Sequence, residues 1–116
     1  MEGFVNTGLF RRKVRFRFDL AALKSATMVC RMDLGEFFTS EKLNDDVRFF
    51  YYCYGAWLCG RDHTPKLFRK YQRMFNGLTQ KQIGKIKLIK VQCEIISEEY
   101  QKALKQAVKA GEKKNR

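Results

Sequence analysis

Val47–Leu58 reads VRFFYYCYGAWL and holds six of the chain's sixteen aromatic residues. Each large aromatic buries about 150–250 Å² when enclosed. This stretch therefore has to lie inside whatever the chain builds. Strict alternation, the mark of a half-buried strand, fails at Phe49–Phe50–Tyr51–Tyr52. Val47, Phe50, Tyr51, Tyr54, Trp57 and Leu58 instead follow the 3-4 spacing of one helical face. Asn44, Asp45 and Asp46 come just before, offering an N-cap and negative charge where the helix dipole favours it. Gly60 follows as a stop. The reading is a buried helix, apolar nearly all round, with Phe50, Tyr54 and Trp57 in the core. A buried strand is the alternative, because these residue types also have high β propensity.

The rest of the chain must wrap that helix. Phe10, Val14, Phe16 and Phe18 share one parity, while Arg11, Lys13, Arg15 and Arg17 share the other. That predicts a strand over Leu9–Phe18 with an apolar and a basic face. A lone strand is unstable, so it needs Glu2–Thr7 as a hairpin partner or a second subunit at its edge. Phe10, Val14 and Phe16 are the candidate residues for such self-association. Asp19 then caps a helix over Leu20–Met32, and Asp33 with Glu36 opens a short one over Leu34–Thr39. Thr64–Pro65 starts a fourth helix, which Asn76–Gly77 ends.

Thr79 and Gln82 form a capping box for a long last helix, expected to run from Ile83 to about Lys109. Ile86, Ile89, Cys93, Ile96, Tyr100, Ala103 and Ala107 step by threes and fours, a heptad seam widened in places by Leu88, Val91, Ile95, Leu104 and Val108. The first half belongs to the core. The second half, past Ser97, is expected to meet another chain or stand in solvent, which makes Ile96, Tyr100, Ala103, Leu104 and Ala107 the candidate partner-binding residues. The expected fold is mainly α, one domain over residues 1–116. It comprises a β element (1–18), a helical core (19–79), a long C-terminal helix (80–110) and a frayed basic end (111–116), with about five helices in all.

Composition narrows the function. No apolar run is long enough for a membrane span, and the N-terminus lacks the basic-then-apolar order of a signal peptide, so a cytoplasmic protein is expected. Cys30, Cys53, Cys59 and Cys93 form no CxxC pair and lie in apolar helical patterns, reading as buried thiols in a reducing compartment. His63 is the single histidine, so neither a metal site nor a cofactor is expected. No paired-carboxylate, triad or glycine-rich phosphate motif is present, and nothing calls for an enzyme. The net charge is +12, with the flanks basic and residues 19–60 mildly acidic. Such a field attracts nucleic acid or an acidic protein alike. LTQKQIGK at Leu78–Lys85 is similar to the first helix of a helix-turn-helix, but Ile86-Lys87-Leu88-Ile89 continues the same helix where that motif needs a sharp turn. Nucleic acid is therefore expected to bind only weakly, without sequence preference and at low salt.

The order of elements is more telling. A basic strand runs straight into a helix (FRFDLAALKSA), a short DLGEFF helix follows, and the aromatic helix ends in a charged loop (VRFFYYCYGAWLCGRD). Over Arg15–Asp62, and more weakly to Lys90, this resembles the tail assembly chaperones of long-tailed bacteriophages and gene-transfer particles. The family often carries acidic residues and a glycine at the end of the first helix, where this chain has Met28-Val29-Cys30-Arg31. The resemblance implies a non-catalytic protein of the bacterial host cytoplasm, absent from the mature virion. It would bind the helical tape measure protein, keep it from aggregating before the tail tube polymerises and, in a longer form, meet tube subunits. The apolar stripe of the last helix is itself expected to meet either a second copy of the chain, storing it as a homo-oligomer, or the tape measure helix. A small basic nucleic-acid-binding module and a structural tail or head-completion protein are the alternatives.

Overall fold

The computed structural model describes residues 3–7 and 12–96, together with Lys102, Lys105, Gln106, Val108 and Lys109. The chain is mainly helical, with a hairpin at its start. Strands β1 (Gly3–Thr7) and β2 (Arg12–Phe16) pair antiparallel, Gly3 opposite Phe16 and Val5 opposite Val14. Five helices follow among the described residues: α1 (Leu20–Cys30), α2 (Leu34–Thr39), α3 (Asp45–Leu58), α4 (Pro65–Asn76) and α5 (Gln80–Ile96). No helix among the described residues is long and apolar enough to cross a membrane.

The helix starts follow the short-range chemistry read from the sequence. Asp19 accepts from the Ala22 amide at 2.9 Å, Asp33 from Glu36 at 2.8 Å, Asn44 from Val47 at 2.8 Å and Thr64 from Leu67 at 3.1 Å. At α5 the Thr79 amide donates to Gln82 Oε1 at 2.8 Å while the Gln82 amide donates to Thr79 Oγ1 at 3.2 Å, a reciprocal capping box. The stops are less uniform. Arg31 and Cys59 end α1 and α3 in the left-handed conformation, at φ 57° and 50°. Helix α1 therefore closes two residues before Met32, and α3 turns one residue ahead of Gly60.

Strand β2 is shorter than the alternating segment. After Phe16 the chain leaves β1, and the Arg17 amide donates to the Ala56 carbonyl at 3.1 Å, tying the strand to the end of α3. The alternation still sorts the faces: Phe16 and Phe18 are buried, while Lys13 and Arg15 are exposed. β1 lies on α5, with Gly3 so close to Ile89 that any side chain there would overlap the isoleucine.

Helix α3 is the axis of the core, and the all-round burial expected of it holds for its C-terminal half. Tyr52 through Leu58 are all buried, whereas Val47 and Phe49–Tyr51 are half-buried. The reason is what surrounds each half. The C-terminal half is enclosed by α1, β2 and Tyr71 of α4; Gly55 touches the Ala22 carbonyl group so closely that a Cβ would lie 2.7 Å from its carbon. The N-terminal half packs on α4's rings on one side, Phe50 against Phe75 at 5.0 Å and Tyr71 at 5.1 Å between centroids, and is partly covered on the other. Tyr71 is fully buried, and its hydroxyl donates to the Phe50 carbonyl. The buried hydroxyl has that one acceptor, so Tyr71→Phe is expected to cost about 1–2 kcal/mol with the packing kept; a chemical-denaturation midpoint equal to wild type would contradict it.

Candidate functional site

A cavity of about 540 Å³ opens between α2, α3 and α5. Phe37 and Phe38 of α2, Phe49 and Tyr52 of α3 and Val91 of α5 supply its apolar walls, and Asp45, Asp46, Arg48, Lys87 and Lys90 its charged margin. Its volume falls within the range of ligand and anchor-residue pockets. The lysines are placed by their stems: Lys87 Nζ lies 5.4 Å from the Phe49 ring centroid and Lys90 Nζ 5.7 Å from that of Tyr52. Each ammonium sits on an aromatic face while its methylenes cover apolar surface. Arg48 is held differently. Its guanidinium donates to the Phe37 carbonyl at 2.7 Å, to Asp45 Oδ1 at 3.1 Å and to the Ser40 carbonyl, so it clamps the end of α2 to the start of α3.

The proposed partner-binding residues fare unevenly. Tyr100, Ala103, Leu104 and Ala107 lie outside the described residues, and Ile96 ends α5 with its side chain outside them. The first half of the seam, Ile86, Ile89 and Cys93, is buried in the core as expected. Val108, from the stretch expected to leave the domain, lines the cavity together with Phe37 and Val91 of the same chain. Of the proposed self-association residues, two lie among the described residues. Phe10 lies outside the described residues, Val14 is half-buried opposite Val5, and Phe16 is fully buried. β1 pairs along one edge of β2, and Phe16 is enclosed within its own chain.

Two features escaped the sequence reading. The cavity needs three elements brought together, and no local pattern announces it. The other was legible: Lys66, Arg69, Lys70 and Arg73 step by three, one and three along α4, which contains no carboxylate. All four are exposed, opposite the inward Phe68 and Tyr71.

Among the described residues no group of three His, Cys, Asp or Glu side chains could hold a metal ion. The four cysteines form no disulfide with one another. His63 Nδ1 is hydrogen-bonded to the Tyr54 hydroxyl at 2.6 Å, its ring edge-on to the tyrosine, which ties the α3–α4 loop to the core. Burial pushes the Cys30 thiol from 9.0 up to about 11. Burial also holds the Cys53 thiol well above 9.0, outweighing the pull of Lys90 and Lys87, and raises the Tyr71 hydroxyl well above 10.0. An acid whose folded pKa is raised is ionised first in the unfolded chain, so the stability it contributes is whole below the unfolded pKa and falls as pH rises. For Cys30 that window runs from 9.0 to about 11. The urea midpoint is expected to drop between about pH 8 and pH 10.5, and to drop less in Cys53→Ala than in wild type, each measured against its own value at the lower pH; equal drops would contradict the assignment to the buried thiol.

Comparison with known proteins finds no matching family model, no matching curated protein and no matching solved structure.

Proposed function

We propose that this chain is a tail assembly chaperone that holds an aggregation-prone helical client, the tape measure protein, in the bacterial host cytoplasm. The reading rests on the resemblance carried by FRFDLAALKSA, DLGEFF and VRFFYYCYGAWLCGRD, which occupy the β2–α1 junction, α2 and α3. The observation that carries it is the apolar cavity bounded by α2, α3 and α5, with Leu88 and Val91 exposed on α5 itself. An amphipathic helix could set its apolar anchors into such a groove, and acidic residues beside its stripe would meet Lys87 and Lys90 at the margin. Binding of this kind needs no catalytic group. It serves to cover a client's apolar surface until the client's own assembly partners arrive.

The test is co-expression with the tape measure protein of the same particle. Wild type is expected to keep the client soluble. Leu88→Glu with Val91→Glu places two charges on exposed positions of α5, so the variant should melt like wild type yet leave the client in the pellet. Equal solubilisation by wild type and variant would remove α5's outer face from the client site.

A further inference from the structure

The outer face of α4 has a separate use. Lys66, Arg69, Lys70 and Arg73 form one continuous stripe about 10 Å long. No described carboxylate makes a salt bridge to any of the four, and α4 contributes no residue to the apolar cavity. The aromatic residues of the helix are turned the other way. Phe68 packs on Tyr54 at 4.9 Å, and Tyr71 and Phe75 pack on Phe50. The stripe therefore has four cations and beside them one half-buried leucine, Leu67, but no aromatic ring.

That composition selects among anionic partners. A folded acidic protein is usually gripped by a desolvated apolar or aromatic centre, with charges at the rim. An acidic helix would also need carboxylates in matching register. A nucleic-acid duplex needs neither, because it presents about one phosphate charge per 1.7 Å of its axis, so four cations on a helix face find partners in any register. Arg69 and Arg73 supply planar forks suited to phosphate oxygens, and Lys66 and Lys70 point charges between them. No side chain of the stripe is a reader of base edges held by neighbours, so contact would position without specifying. We propose that the α4 stripe Lys66–Arg69–Lys70–Arg73 is a sequence-blind binding site for the phosphate backbone of duplex nucleic acid. The site is independent of the chaperone reading and uses a different surface.

Fluorescence anisotropy with a duplex of about 20 base pairs and arbitrary sequence, at about 50, 100 and 200 mM salt, tests it. The variant K66Q/R69Q/K70Q/R73Q is compared with K24Q/K42Q/K105Q/K109Q, which loses the same charge from exposed lysines elsewhere. At the lowest salt the α4 variant should bind at least about tenfold more weakly than wild type. Its plot of log affinity against log salt should be shallower by about 3.6, since each of the four lost phosphate contacts contributes about 0.9 to the slope. The control should lose less than about threefold, its slope kept. The pair K66Q/R73Q, a milder change, should lose about half the slope of the full variant, which keeps the test decisive if four substitutions disturb the helix. Equal losses in the α4 variant and the control would assign the attraction to net charge and overturn the site. Tighter binding to a polyglutamate peptide than to the duplex would overturn the nucleic-acid assignment in favour of an acidic protein.

Discussion

Gly55→Ala is expected to be among the most damaging single substitutions in the chain, although it adds one methyl group. The added Cβ would fall against the Ala22 carbonyl, 2.7 Å from its carbon and 3.0 Å from the Ala22 Cα. Both are backbone atoms, so no side-chain rotation relieves the clash; α1 and α3 must separate. Around the contact lie Ala26, Cys53 and Ala56, all fully buried, so separation opens voids beside the overlap. Overpacking of this kind costs about 3 kcal/mol at the upper end of its usual range, a drop of roughly 10 °C in melting temperature for a domain of this size. Gly84→Ala is the matched control. Nothing lies within 4 Å of its added Cβ, and the position is an exposed turn of α5. That variant should gain about 0.5–1 kcal/mol, because alanine is the better helix former. Thermal melts of the two proteins should move in opposite directions. Equal melts would mean that the α1–α3 contact is looser than it stands here.

Trp57→Ala is expected to be comparably severe, at about 3–5 kcal/mol, for the opposite reason: it leaves a hole. Trp57 is 8% exposed and packs on Tyr54 and Tyr71, with the Arg61 guanidinium 4.5 Å above its ring. Arg61 also donates to the Leu58 and Trp57 carbonyls at 2.9 and 3.0 Å, so it closes the end of α3 as well as covering the indole. Removal of the ring takes away the cation's support together with the core packing. Tryptophan fluorescence cannot follow this variant, so circular dichroism against denaturant is the measurement. A midpoint unchanged from wild type would remove Trp57 from the centre of the core.

What the sequence made legible was the chemistry that acts over three or four residues. Asp19, Asp33, Asn44, Thr64 and the Thr79–Gln82 pair each bond an amide within reach of their own side chain, so residue type and position were enough. The same holds for the alternation that turned Phe16 inward. Long-range packing was not legible. The pattern of α3 announced an apolar surface nearly all round, but not that Gly55 against Ala22 and Arg17 against Ala56 would enclose its last turns while its first turns stay half-buried. The cavity depended on Phe37, Phe49 and Val91 meeting from three helices, and the spacing within any one of them carries no trace of it. The α4 stripe was readable in principle; counting charge by segment concealed that its cations share one side.

The contact of Gly3 with Ile89 joins the first strand of the chain to its last described helix. Chain synthesis runs from the N-terminus at roughly 5–20 residues per second, so the hairpin emerges several seconds before α5 can meet it. Until then Val5, fully buried in the finished protein, lacks part of its cover. The earlier elements can condense on one another, since α1 and α3 are close in sequence, but the final closure spans nearly the whole chain and carries the loop entropy of that distance. The hairpin is thus a latch that shuts only on a chain translated at least as far as α5. A product cut short before Gln80 would expose the inner side of the latch to the quality-control machinery of its cell.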